Sequence, residues 1–252
     1  MIKFQNITLA FDSRTLITDA SAHFQRGEMV ALLGRNGTGK STLLRAIAGL
    51  GATQGGDIYI MGEELHSLSA TQRAERIAFV NTERVDVDAL TVRELVSIGR
   101  SPYTNWMGRL TAEDRRVVEE AIEKVGIKGL ATRRVDTLSD GECQRAMIAR
   151  ALAQQTPIIL LDEPTSFLDL PNRYELCQLL SNLAHKENKC ILFSTHELDI
   201  ALSLADSIAL VDTPNLVHLP TPKMITSGNI ERLFNSDAVC FDATSGAIRL
   251  RH

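Results

Sequence analysis

In Gly34-Arg35-Asn36-Gly37-Thr38-Gly39-Lys40-Ser41-Thr42 the first eight residues fit the pattern G-x-x-x-x-G-K-[ST]. Residues of these types at this spacing suit polyphosphate chemistry. Glycines let the backbone wrap closely around phosphate oxygens, and successive N–H groups point inward to form an anion nest. Lys40 is placed to reach the β- and γ-phosphates, and the Ser41 hydroxyl to ligate Mg²⁺. Gly34, Asn36, Gly37, Gly39 and Thr42 belong to the same cradle. The flanks agree. Met29–Leu33 is a short apolar run that reads as a buried strand, and the spacing over Ser41–Gly49 predicts a helix closed by glycine. That helix start adds its positive dipole end beneath the phosphates. The motif predicts nucleotide binding.

Two acids close a second apolar run, Pro157-Ile-Ile-Leu-Leu-Asp162-Glu163-Pro164. A carboxylate at a strand end beside a phosphate loop can hold Mg²⁺ through water, the role expected of Asp162. Glu163 follows, placed to polarise a water for attack on the γ-phosphorus. Another apolar run, Ile191-Leu-Phe-Ser-Thr195-His196-Glu197, ends in a histidine. A lone histidine there is more often a hydrogen-bonded core residue; beside the other two motifs it reads as functional. In Leu138-Ser139-Asp140-Gly141-Glu142, Ser139 and Glu142 have capping-box spacing, which predicts a helix N-terminus at Ser139.

The elements that must carry these residues follow from periodicity. Strand-like runs fall at Ile2–Phe11, Glu28–Leu33, Ile58–Met61, Ile77–Val80, Pro157–Leu161, Cys190–Ser194 and Ser207–Val211, with helical patterns between several of them. Ser69 with Gln72 and Thr111 with Asp114 mark two further helix starts. From about 88 to 150 the pattern is helical with no convincing strand, which suggests a helical insert in an α/β core. Short β-like pieces, Leu216–Leu219 and Ala247–Leu250, recur in the tail.

With 23% charged residues and a formal net charge of −4, no basic field argues for nucleic acid. No apolar run approaches the ~20 residues that span a bilayer. The first residues alternate like a strand rather than a signal peptide. Four scattered cysteines, Cys143, Cys177, Cys190 and Cys240, lack metal-ligand spacing, and Cys177 and Cys190 read as buried thiols of a reducing compartment. A cytosolic chain is expected.

Phosphate loop, Leu-Ser-x-Gly-Glu, Leu-Leu-Asp-Glu-Pro, Ser166-Phe-Leu-Asp169 and Ser-Thr-His-Glu stand in the order of an ATP-binding-cassette (ABC) ATPase, which the chain resembles over about residues 1–212. The resemblance implies an α/β fold: a P-loop NTPase core of ABC-ATPase type, an N-terminal antiparallel β subdomain and an inserted helical subdomain. The boundaries expected are a RecA-like core at about 1–87 and 151–212, a helical subdomain at about 88–150 and a tail at 213–252. It also implies a homodimer sandwiching two ATP molecules, each between the phosphate loop of one subunit and Ser139 and Gly141 of the other. By the same resemblance Glu163 is the catalytic base, His196 contacts the γ-phosphate and Asp169 couples the two sites. Phe11 takes the place of the aromatic that stacks on adenine, or is ordinary strand core.

Leu90–Tyr103 with Trp106–Asp114 is similar to ATPase subunits of importers for iron–siderophore, haem or cobalamin. That family implies a motor subunit peripheral to the cytoplasmic face of the inner membrane. Its integral-membrane permease would dock near Thr82–Leu110, where Pro102, Tyr103, Trp106 and Met107 are unusually apolar for a loop. The bland reading is a solvated helix and loop.

Two positions depart from the family. Thr82 stands where a glutamine usually meets Mg²⁺ and the attacking water; its shorter side chain leaves that role to Thr82, to water or to Glu83. Asp140 stands where the signature has glycine. In the first turn of a helix it favours the dipole, but facing a γ-phosphate at ~8 Å it would repel by roughly 2 kcal/mol per unit charge pair at an effective dielectric of ~20. A slower ATPase is expected. A non-transport, weakly catalytic nucleotide-gated module is the alternative. A DNA-acting cassette would need long heptad insertions that the chain lacks.

Overall fold

Five apolar residues in a row leave the strand Met29–Leu33 no face for water, and it is buried along its whole length. Runs of this kind suit a sheet covered on both sides. The computed structural model describes residues 1–81, 89–104, 107–166 and 168–251. Its strands are Ile2–Phe11 (β1), Arg14–Phe24 (β2), Met29–Leu33 (β3), Gly55–Ile60 (β4), Glu63–Glu64 (β5), Ile77–Val80 (β6), Ile158–Leu161 (β7), Cys190–Thr195 (β8), Ser207–Asp212 (β9), Asn215–Pro220 (β10), Val239–Asp242 (β11) and Ala247–Leu250 (β12). The α-helices are Lys40–Ile47 (α1), Ala70–Arg76 (α2), Val92–Ser97 (α3), Ala112–Lys124 (α4), Asp140–Ala153 (α5), Leu170–His185 (α6), Leu198–Leu204 (α7), Thr221–Thr226 (α8) and Asn229–Phe234 (α9).

The central sheet runs β10-β9-β3-β8-β7-β6, parallel except for β10 at its edge. A second sheet, β2-β1-β4-β5, is antiparallel throughout. Side chains alternate across a strand, so β3 divides between two cores. Val30 and Leu32 join Leu43, Leu44 and the antiparallel sheet's Phe4 and Phe24. Met29, Ala31 and Leu33 join the helical side, with Val118, Ile122 and Ile148. Helix α1 is thereby held beneath the antiparallel sheet, with the phosphate loop at its N-terminus.

The helical stretch α3 to α5 is closed by a buried ion pair. Arg100 Nε donates to Asp114 Oδ1 at 2.9 Å, and its Nη1 donates to the Ala153 and Gln155 oxygens at 2.8 Å. Asp114 also caps α4, accepting from Thr111 N and Oγ1. These bonds hold its carboxyl down to about 2. Capping boxes stand at Ser69–Gln72, Thr91–Glu94, Thr111–Asp114 and Ser139–Glu142.

In the tail, β10 extends the central sheet and meets β2 through Thr18 N–H to Pro214 O, 2.9 Å. Helices α8 and α9 bury Met224, Ile230 and Leu233, and β11 and β12 form a separate hairpin. Cys143, Cys177 and Cys190 are buried and in no disulfide; burial pushes Cys177 and Cys190 up to about 12. Among the described residues no helix is long and apolar enough to cross a membrane.

Candidate active site

The chain leaves β3 at Gly34, where a Cβ would lie 2.7 Å from Val211 O and 2.9 Å from Thr38 Oγ1. Gly37 and Gly39 take φ of +76° and +99°, which favour glycine, and Gly39 N-caps α1. The Thr38 hydroxyl ties the loop back to Arg35 O at 2.9 Å. Lys40 is buried, and its Nζ donates to Gly34 O at 2.9 Å and Arg35 O at 3.1 Å. Burial holds its pKa below the usual lysine value, outweighing the pull of Glu163 and Asp162.

Asp162 meets this loop from the end of β7. Its Oδ1 accepts from Ser41 Oγ at 2.9 Å and from Ser194 Oγ at 2.6 Å. Ser194 in turn accepts from Glu163 N at 2.8 Å, so one β8 hydroxyl orients both acids. Glu163 Oε1 lies 3.7 Å from Lys40 Nζ, and Oε2 lies 3.5 Å from His196 Nδ1. The His196 side chain is 44% exposed. The described residues hold no cluster of three His, Cys, Asp or Glu fit for a metal. The adjacent Ser41 hydroxyl and Asp162 carboxylate are hard oxygen donors of the kind Mg²⁺ takes, which leaves phosphate and water to complete its shell.

Lys40, Ser41 and Glu163 bound a cleft of about 490 Å³, whose lining also includes Asn36 and Thr42, with Asp162 and His196 held against Ser41 and Glu163. At its mouth is Phe11, 64% exposed. Such exposure does not fit the strand-core reading of Phe11. Ser139 and Gly141 do not line this cleft. Ser139 is exposed and accepts from Glu142 N, while the Glu142 carboxylate accepts from Ser139 N at 2.8 Å. Asp140, also exposed, is the first residue of α5. Asp169 caps α6, accepting from Asn172 N at 3.1 Å. A Cβ on Gly141 would lie 3.1 Å from Leu168, so the two caps are neighbours.

Periodicity and motif spacing miss three residues here. Ser194 is one polar residue in a buried strand, and only its alternation could have singled it out. Arg14 and Leu16 line the cleft from β2, a strand whose pattern a bulge obscures. Thr82, Glu83 and Trp106 lie outside the described residues. Ile98, Tyr103 and Met107 are exposed beside a groove of about 310 Å³ that includes Ile98 and Leu110. Tyr103 is only partly free: Arg100 stacks on its ring at 4.1 Å, and its hydroxyl donates to Gln154 O at 2.9 Å.

Residues 17–166 match the family described as ABC transporter. The chain is 35% identical to the achromobactin transport ATP-binding protein CbrD of Dickeya dadantii, over 94% of this chain and 88% of that protein. It is 33% identical to the iron(3+)-hydroxamate import ATP-binding protein FhuC of Bacillus subtilis, over 93% and 87%. It is 35% identical to the cobalamin import ATP-binding protein BtuD of Halobacterium salinarum, over 92% of this chain and 58% of that one. Among solved structures, the dimeric structure of a bacterial ABC transporter cassette matches with a TM-score of 0.78 at 27% identity, covering 88% of this chain and 99% of that one. An ABC transporter assigned to the metal-chelate type, in an inward-facing conformation, matches with a TM-score of 0.82 at 30% identity, covering 92% and 88%.

Proposed function

The chain belongs to the ABC transporter family of ATP-binding proteins and is an ATPase, and on that premise we propose that it is the motor subunit of an importer for a metal chelate or a corrinoid. The observation that carries the reading is the contact network that joins Asp162 to Ser41, and His196 and Lys40 to Glu163, beside the cleft. The names of its relatives, transport of achromobactin and import of iron(3+)-hydroxamate or cobalamin, support the substrate class.

In this reading the loop amides and Lys40 hold the β- and γ-phosphates, and Ser41 and Asp162 would hold Mg²⁺. The metal, when bound, neutralises charge on the phosphate oxygens. Glu163 takes the proton of the attacking water, and His196 keeps that carboxylate aimed at the γ-phosphate. Phe11 stacks on the base. Ser139 and Gly141 face the γ-phosphate bound by a second copy, which accounts for their lying outside the cleft of their own chain. A membrane permease docks on the groove beside Ile98 and Leu110.

The test is co-expression with candidate permeases of the iron-chelate and corrinoid classes, followed by ATP turnover of the purified complex in vesicles. The reading expects one class to co-purify and to raise turnover when its substrate is supplied. Hydrolysis with no permease captured and no response to either substrate class counts against import.

A further inference from the structure

Arg14 lines the mouth of the cleft, and its side chain has no hydrogen bond or ion pair with the described residues. Its placement is built. The turn through Asp12, with φ +51°, sets Phe11 and Arg14 opposite each other in register. Between the pairs Leu9↔Ile17 and Ala10↔Thr15 the register shifts by one, which leaves Leu16 as a bulge. The bulge brings Leu16 against the phosphate loop, where a Cβ on Gly39 would lie 3.0 Å from it. Arg14 is two residues further along the same strand, roughly 6–7 Å away, on the side of Phe11.

A nucleotide stretched from the glycine loop to Phe11 therefore passes Arg14 near its middle, where the α-phosphate joins the ribose. The charges in the cleft make this consequential. Lys40 is partly engaged already, by two loop carbonyls and by Glu163 at 3.7 Å. Arg14 brings an unengaged guanidinium, whose planar fork matches phosphate oxygens. We propose that Arg14 is a nucleotide-binding residue that pairs with the α-phosphate end of a nucleoside di- or triphosphate. The proposal rests on the cleft being the ATP site.

Because the contact lies away from the γ-phosphate, it supports ATP and ADP alike. Titration of the whole chain with ATP, ADP and the inosine analogue ITP, at low and at physiological ionic strength, tests this. Arg14→Ala should weaken ATP, ADP and ITP by about tenfold each, with a shallower salt dependence than the parent, since a charge pair is screened. Arg14→Lys should recover to within about threefold, and Arg14→Glu should lose more than Arg14→Ala. Affinities within twofold of the parent overturn the proposal. So does a loss confined to ATP, which would mean a γ-phosphate contact, or a loss seen with ATP but not ITP, which would mean a contact with the 6-amino edge of the base. Lys40→Ala separates the levels: if the parent binds no nucleotide, or Lys40→Ala binds as well as the parent, the reading of the cleft itself fails.

Discussion

Glu163 holds a backbone φ of +41°, a conformation that side chains rarely adopt and that costs on the order of 1–3 kcal/mol. Its N–H bond to Ser194 Oγ and its carboxylate's place between Lys40 and His196 offset that strain. If Glu163 is the base, Glu163→Gln should keep affinity for Mg·ATP while hydrolysis falls by roughly 10²–10⁴-fold. An ATP-loaded dimer should then accumulate in size-exclusion chromatography. Turnover within twofold of the parent would remove Glu163 from that role. The phosphate loop, Asp162, Glu163 and His196 were legible because each sits in a short motif with fixed neighbours. Ser194 was not, because a hydroxyl in a buried strand has no local signature; only the tertiary fold brings it to Asp162. For the same reason Arg14 carries no signal in the sequence: its partner in register, Phe11, stands in the place of the family's stacking aromatic, but Arg14's own place in the cleft depends on a bulge.

The element that most depends on one pair is the segment between α3 and α4. Arg100 and Asp114 are both buried, and Asp114 serves as both cap and counter-ion. Asp114→Asn should leave the Arg100 charge uncompensated and cost about 3 kcal/mol, lowering the melting temperature by roughly 6–12 °C. The sign of its pH dependence follows from the depressed carboxyl. Stability from this group is present above the ordinary aspartate value of 3.8 and is lost as pH falls through about 2. Between those limits the parent should lose stability more steeply than Asp114→Asn in parallel melts; equal slopes would refute the linkage. The adjoining groove supports a second expectation. Ile98→Ser with Met107→Ser should cut permease-stimulated turnover at least tenfold, with ATP affinity unchanged. Ile98 tests docking more cleanly than Tyr103, whose ring and hydroxyl are tied to Arg100 and Gln154. If affinity falls in step with turnover, the docking surface lies elsewhere.

At the scale of the molecule, apolar runs marked most of the central sheet in the sequence. The strands β1, β6 and β12 fall where alternation or an apolar run placed them. Strand β2 was hidden, since its pattern Leu16-Ile17 breaks period two at the bulge. Strand β11 was hidden because it is short and pairs only with β12. What no run of residues announces is the division of β3 between two cores, which is a property of the stacked layers.

That architecture presents half of the proposed reaction centre on one surface and half on another: the cleft carries Lys40 and Glu163, whereas Ser139 is exposed at the start of α5. The rate law follows. Hydrolysis by the free cassette should be second order in protein at high dilution, so that specific activity climbs with concentration and then levels off. A specific activity independent of concentration down to the nanomolar range would mean that one copy suffices or that the pair never separates. A permease that seats two cassettes replaces their encounter with an effective concentration in the millimolar range. Dilution would then cease to matter, and the membrane partner would act as a concentrator before it acts as a gate.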